Sequence, residues 1–164
     1  MTVGRSIRPL LVVLAVIVLA LVVSTVVRDE PSRQEQIATR GAEVMPFDLD
    51  ATTHVFEPTP TGVVQTVVAD DPSDAEQVDL IRGHLREEQR RFGAGDFGDP
   101  VTIHGDEMPG VAVLQEQYEA LDTEYRDRPD GAAITYRSDN PEVVAALHEW
   151  FAAQLEDHGS HVGE

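Results

Sequence analysis

The chain has 164 residues, 30 of them acidic against 12 basic, a formal net charge of −18, no lysine and no cysteine. That length holds one domain of ordinary size plus a targeting segment, and the charge excludes nucleic-acid binding by electrostatic attraction. The missing cysteine excludes thiolate catalysis, disulfides, thiolate metal sites and a lipidated cysteine anchor, leaving cationic partners, a basic protein or a metal ion, as the ones such a surface favours.

In chain order, residues 1–8 carry Arg5 and Arg8, and Pro9–Val27 (PLLVVLAVIVLALVVSTVV) is a 19-residue run without a charge. A helix of roughly 20 apolar residues crosses the hydrocarbon layer of a membrane. Arg28 is followed at once by Asp29 and Glu30, so the positive-inside bias places residues 1–8 in the cytoplasm and the body of the chain outside it. The expected localisation is a single-pass cell-membrane protein with an extracytoplasmic domain. The rival reading is a cleaved signal peptide, against which stands the lack of an A-x-A site after the run. Residues 28–45 are polar and charged, and read as a tether or a short surface helix. The folded domain is expected over 46–159, with 160–164 as a flexible tail.

An internal repeat organises that domain. Residues 60–72 (PTGVVQTVVADDP) and 129–141 (PDGAAITYRSDNP) share P-x-G-x-x-x-T-x-x-x-D-x-P without a gap. A strand-like stretch precedes each, THVFEPT and DTEYRDR, which sets Phe56 opposite Tyr125. A Pro-x-Gly loop between β-favouring runs signals a hairpin. The Asp-Pro or Asn-Pro after each second strand suits a helix start. The first helix is expected over 73–92, with Val78, Ile81, Leu85 and Phe92 inward, and the second over 141–157, with Val144, Leu147, Phe151 and Leu155 inward. Two ββα units give an α+β fold, a four-stranded antiparallel sheet with both helices on one face, in a strand order the sequence leaves open. Residues 93–114, rich in Gly, Asp and Pro, read as a largely irregular connection, the natural place for a site, with a further short helix near 110–120.

The chemistry-bearing residues are few. His104, Asp106, Glu107 and Met108 put an imidazole, two carboxylates and a thioether into one short loop. The alternative for this loop is a turn whose histidine bonds backbone while Met108 anchors it to the core. His84 and His148 sit beside the apolar faces of the two helices, where either a shared groove or separate satisfaction by a carbonyl or carboxylate is open. No H-E-x-x-H, nucleophile elbow or phosphate loop occurs, so no catalytic residue is assigned.

The stretches MPFDLDATTHVF (45–56), LIRGHLREEQRRFGAGDFGDP (80–100), IHGDEMPG (103–110) and ALHEWFAAQLEDHG (146–159) resemble a family of small exported bacterial proteins of unknown activity, over nearly the whole domain. Members of that family often carry the label aspartate carbamoyltransferase. The S-T-R-T and H-P-x-Q segments of a carbamoyl-phosphate site are not in this chain, which is also too short for that enzyme's two α/β domains. The resemblance implies that His84 and the loop from His104 to Gly110 belong to a recurring pattern and share a site.

The expected function is therefore a membrane-anchored extracytoplasmic domain that binds a ligand or partner, with ligand contacts at His84, His104, Asp106 and Glu107. Its most specific form is a transition-metal site, copper or zinc, held by His54, His84, His104 and Met108. The alternatives are an envelope interaction module, marked by an exposed apolar patch without a polar pocket, and a small enzyme using His104 with Asp106 or Glu107.

Overall fold

The computed structural model describes residues 31–158. The expectations for the hydrophobic run, for residues 1–8 and for the tail with His161 lie outside them. Among the described residues no helix is long and apolar enough to cross a membrane. Five helices and four strands follow in the order α1 (Arg33–Val44), β1 (Thr52–Thr59), β2 (Gly62–Ala69), α2 (Ala75–Gly93), α3 (Gly98–His104), α4 (Val111–Glu116), β3 (Asp122–Arg128), β4 (Gly131–Arg137) and α5 (Pro141–His158). The fold is α+β, with a four-stranded antiparallel sheet ordered β1-β2-β4-β3.

The two hairpins meet along their second strands. Phe56 pairs with Gln65 in the first and Tyr125 with Ile134 in the second, the same register in each. Where the hairpins join, Gln65 pairs with Ile134 and the neighbouring pairs are related by exchange of the two halves: Val64 with Thr135, Thr66 with Ala133. Both turn glycines are required by close approach. A Cβ on Gly62 would lie 1.9 Å from the Tyr136 carbonyl oxygen, and one on Gly131 would lie 2.1 Å from that of Val67.

Alternation along the strands sends His54, Phe56, Val63, Val67, Ala132, Ile134 and Tyr136 to one face, where they are buried. Both long helices cover that face: Phe151 of α5 packs on Phe56 and Tyr136, and Phe92 of α2 on Tyr136. In α2 the expected inward residues Val78, Ile81, Leu85 and Phe92 are all buried. In α5 the inward stripe is Val143, Ala146, Leu147, Trp150 and Phe151. The expected Val144 is half-buried and Leu155 is 38% exposed. The helix is apolar on most sides, so spacing alone did not fix its phase, and the bulk of Trp150 decides it. Val143→Ala is accordingly expected to cost about 1–3 kcal/mol and Leu155→Ala less than about 0.5 kcal/mol in urea unfolding, the reverse of what a core-facing Leu155 would give.

Of the two readings open for residues 28–45, the short helix is the one found, and residues 93–114 are more ordered than expected. Residues 33–44 form a helix started by a capping box, in which the Ser32 hydroxyl accepts from the Glu35 amide and the Glu35 carboxylate accepts from that of Ser32. Its Ile37 and Gly41 are buried, and the compact unit begins at Ser32 rather than near Met45. The 93–114 segment is more regular than expected, since α3 carries His104 in its last turn; α4, after a left-handed Gly110, is the short helix expected near 110–120.

Candidate functional site

Three elements deliver histidines to one place. The alternation of β1 turns His54 inward beside Phe56, α2 presents His84 one turn before Glu88, and α3 ends on His104. All three histidines line one small cavity of about 30 Å³, with Glu88, Asp99, Gln65 and Gln154 as further polar neighbours and Phe47, Leu85, Phe92, Ile103 and Trp150 as apolar walls. His54, Glu88, His104 and Gln154 are buried, and His84 meets the edge of Phe47 with ring centroids 5.6 Å apart.

The electrostatics of this cavity follow from burial and one carboxylate pair. Burial, helped by a hydrogen bond shared with Asp99 and by that carboxylate's charge, pushes the Glu88 carboxyl up to about 8. Asp99 itself stays low: burial opposes its ionisation, but hydrogen bonds from Arg91 and Glu88 outweigh it. The proton of the pair therefore sits on Glu88 at neutral pH, and the charge on Asp99 is matched by the Arg91 guanidinium bonded to it. Burial lowers His84, with Asp99 opposing and Arg91 assisting. The cavity thus holds a neutral acid and a neutral imidazole, with its one carboxylate already paired.

His104 closes a second network. Its Nδ1–H donates to Asp157 Oδ2 at 2.8 Å, and Arg33 Nη2 donates to the same carboxylate at 2.8 Å. Burial lowers the His104 pKa although Asp157 works against it, so the imidazole is neutral and the carboxylate fixes its Nδ1–H tautomer. Arg33 and Asp157 are 124 positions apart, and their pair ties the first turn of α1 to the last turn of α5. His54 also lines a larger groove of about 370 Å³, whose apolar walls are Ile37, Ala38, Gly41 and Ala42 of α1 with Met45, Phe47 and Leu49, and whose polar lining includes Glu35, Asp48, Asp50 and Asp157. Met45, Phe47 and His54 line both cavities and form the partition between them.

The structure thus assembles His54, His84 and His104, and leaves the other expected residues out. Asp106 and Glu107 are exposed on the turn after α3 and line neither cavity. Met108 is buried in the hydrophobic core and does not line the cavity that the three histidines share. Among the described residues no group of three His, Asp or Glu side chains is placed to hold a metal ion. His148 stays apart from His84: its Nε2–H donates to the Thr59 and Gly62 carbonyls, each at 3.0 Å, and pins the first hairpin turn.

Glu88 and Asp99 escaped the sequence reading. Glu88 lies in a Glu/Arg-rich run that reads as a solvated face, and Asp99 is one of 30 acids. A usable signal was present: His84 and Glu88, four apart, share the stripe of Ile81, Leu85 and Phe92. Comparison with protein-family models, with curated proteins and with solved structures finds no match for this chain.

Proposed function

We propose that the chain is a membrane-anchored extracytoplasmic binding domain, with its ligand site at the histidine-lined cavity and the groove beside it. The observation that carries this reading is the convergence of His54, His84 and His104, from three separate elements, on one buried polar cavity that shares a wall with an apolar groove of about 370 Å³. Small-molecule sites are largely apolar concavities with a few placed polar groups, which is the composition here. The uncharged run at residues 9–27 supplies the anchor, and the matched hairpin registers support an origin by duplication of a ββα unit. The two halves have since diverged, with polar Gln65 facing apolar Ile134 across the join.

An interaction module without a ligand site has less support, since Leu155 is the one large hydrophobic side chain exposed among the described residues. A copper or zinc site would have to be assembled by rearrangement, because the three histidines lack Met108. An enzyme built on His104 with Asp106 or Glu107 loses its carboxylates to the surface.

The test uses N-phenyl-1-naphthylamine, a neutral probe whose fluorescence rises in apolar surroundings. Saturable one-to-one binding is expected, weakened at least about ten-fold by Ala38→Trp, which fills the groove from an exposed helix position. Binding that is non-saturable or indifferent to this substitution would remove the groove as a site. Titration of the same sample with Cu(I), Cu(II) and Zn(II) beside a His84→Ala/His104→Ala variant separates the metal reading, which requires tight stoichiometric binding lost in the variant.

A further inference from the structure

Two residues that line the small cavity each carry a buried polar atom whose needs the protein does not meet. Trp150 Nε1–H is a donor on a residue only 1% exposed, and Glu88 Oε1 is an acceptor on a buried side chain; neither has a hydrogen-bond partner. Leaving such groups unmet in a folded interior costs about 1–3 kcal/mol each, so the pair points to a guest that accepts from one and donates to the other. Arg91 Nη1 stands 3.5 Å from Oε1 and is already engaged with Asp96 and Asp99. A cavity of about 30 Å³ has room for one small group, since roughly 10–15 Å³ accepts a water.

Charge narrows the guest further. The carboxyl of Glu88 carries its proton, His84 is uncharged and Asp99 is paired with Arg91, so nothing here balances an incoming ion, and burying an unpaired ion is costly. A hydroxyl is the smallest neutral group that is donor and acceptor at once. The rest of such a molecule has the adjoining groove to enter, which shares Met45, Phe47 and His54 with the cavity and offers it the apolar walls of α1, with Glu35, Asp48, Asp50 and Asp157 among the groove's polar lining.

We propose that the ligand is a neutral, mainly apolar alcohol, its hydroxyl seated between Trp150 Nε1 and Glu88 Oε1 and its apolar body passing Phe47 into the groove beneath α1. This rests on the binding-domain reading and adds the ligand's chemical class.

Trp150 is the chain's one tryptophan, so its emission reports the cavity directly. The full chain in lipid nanodiscs, with empty nanodiscs subtracted, is titrated at pH 6.5 with hexan-1-ol, 1-methoxyhexane, hexylammonium and hexanoate. Hexan-1-ol is expected to shift the emission saturably. The ether accepts but does not donate, and the two ions pay desolvation, so each is expected to bind at least about ten-fold more weakly. Glu88→Met is expected to weaken hexan-1-ol about ten-fold, while Glu88→Gln, which keeps Oε1, preserves it. Displacement of N-phenyl-1-naphthylamine gives a second readout that also serves Trp150→Phe, expected to lose the preference for the alcohol over the ether. Alcohol and ether of equal affinity, or hexan-1-ol indifferent to Glu88→Met and Trp150→Phe, would overturn the inference and leave water as the cavity's guest. If the groove probe still binds and Ala38→Trp abolishes it, the binding-domain reading survives that result; if the probe fails as well, both fall.

Discussion

Glu88→Gln is expected to stabilise the protein at pH 8.5 by about 2–4 kcal/mol and to leave its stability at pH 5 within about 1 kcal/mol of the parent. The Glu88 carboxyl moves from 4.5 to about 8 on folding, so between those values the folded chain binds a proton that the unfolded chain has released. Stability then falls as pH rises through that window, by at most about 1.4 kcal/mol per pH unit, which caps the total near 5 kcal/mol. The value of about 8 already balances the Arg91 charge against those of Asp99 and Asp96, and we expect about half or more of the cap. The glutamine amide removes the titration and still donates to Asp99. His84 and His104 act with the opposite sign. Burial lowers both in the fold, so below about 6.5 the unfolded chain binds more protons than the folded one, and stability drops as pH falls. The parent should therefore be most stable near pH 6, and the variant should keep the acid decline and lose the alkaline one. Urea unfolding at half-unit intervals from pH 5 to 8.5 measures this, and a parallel decline in both proteins above pH 6 would show that Glu88 ionises without penalty.

The same residue shows what could be read from the sequence and what could not. Patterns local in the chain came through. The Pro-x-Gly turns at Gly62 and Gly131 made hairpins, and the spacing of Val78, Ile81, Leu85 and Phe92 gave the buried stripe of α2. The inward alternation of β1 put His54 beside Phe56. Whatever depends on partners distant in sequence was hidden. The strand order needed the pairing of Gln65 with Ile134, which no local pattern encodes. The helix Arg33–Val44 was half legible, through the Ser32–Glu35 capping box, but its docking depends on a carboxylate at the far end of the domain. The histidine set was found because imidazoles are few. Its neighbours Glu88 and Asp99 were lost because carboxylates are many, and only the tertiary fold buries Glu88 and brings Asp99 of α3 to Arg91 of α2. Trp150, whose bulk sets the phase of α5 and whose indole faces the cavity, was passed over because a run such as PEVVAALHEWF is apolar on nearly every side.

That far-end carboxylate is where the largest loss is expected: Asp157→Ala should cost about 3–5 kcal/mol, while Arg33→Ala costs less than about 1 kcal/mol. The two partners of one ion pair differ because their surroundings differ. The Asp157 side chain is 4% exposed and that of Arg33 is 62% exposed, so removing the arginine deletes a contact that water largely screens. Removing the aspartate leaves the His104 Nδ1–H buried without its acceptor and sets a guanidinium against a vacated site. Asp157→Asn, which keeps an acceptor for Nδ1–H but no charge for Arg33, should fall between them at about 1–2 kcal/mol. The pattern extends to function, since α1 is one wall of the groove and Asp157 is the anchor of its first turn. In Asp157→Ala, hydrogen exchange of the α1 amides should quicken and N-phenyl-1-naphthylamine binding should be lost, while the amides of β2 and β4, paired at the centre of the sheet, stay protected. Urea unfolding of the three variants at pH 7 decides it: equal, small losses in all three would make the Arg33–Asp157–His104 network a surface ornament and would remove the reason for α1, and the groove under it, to hold their shape.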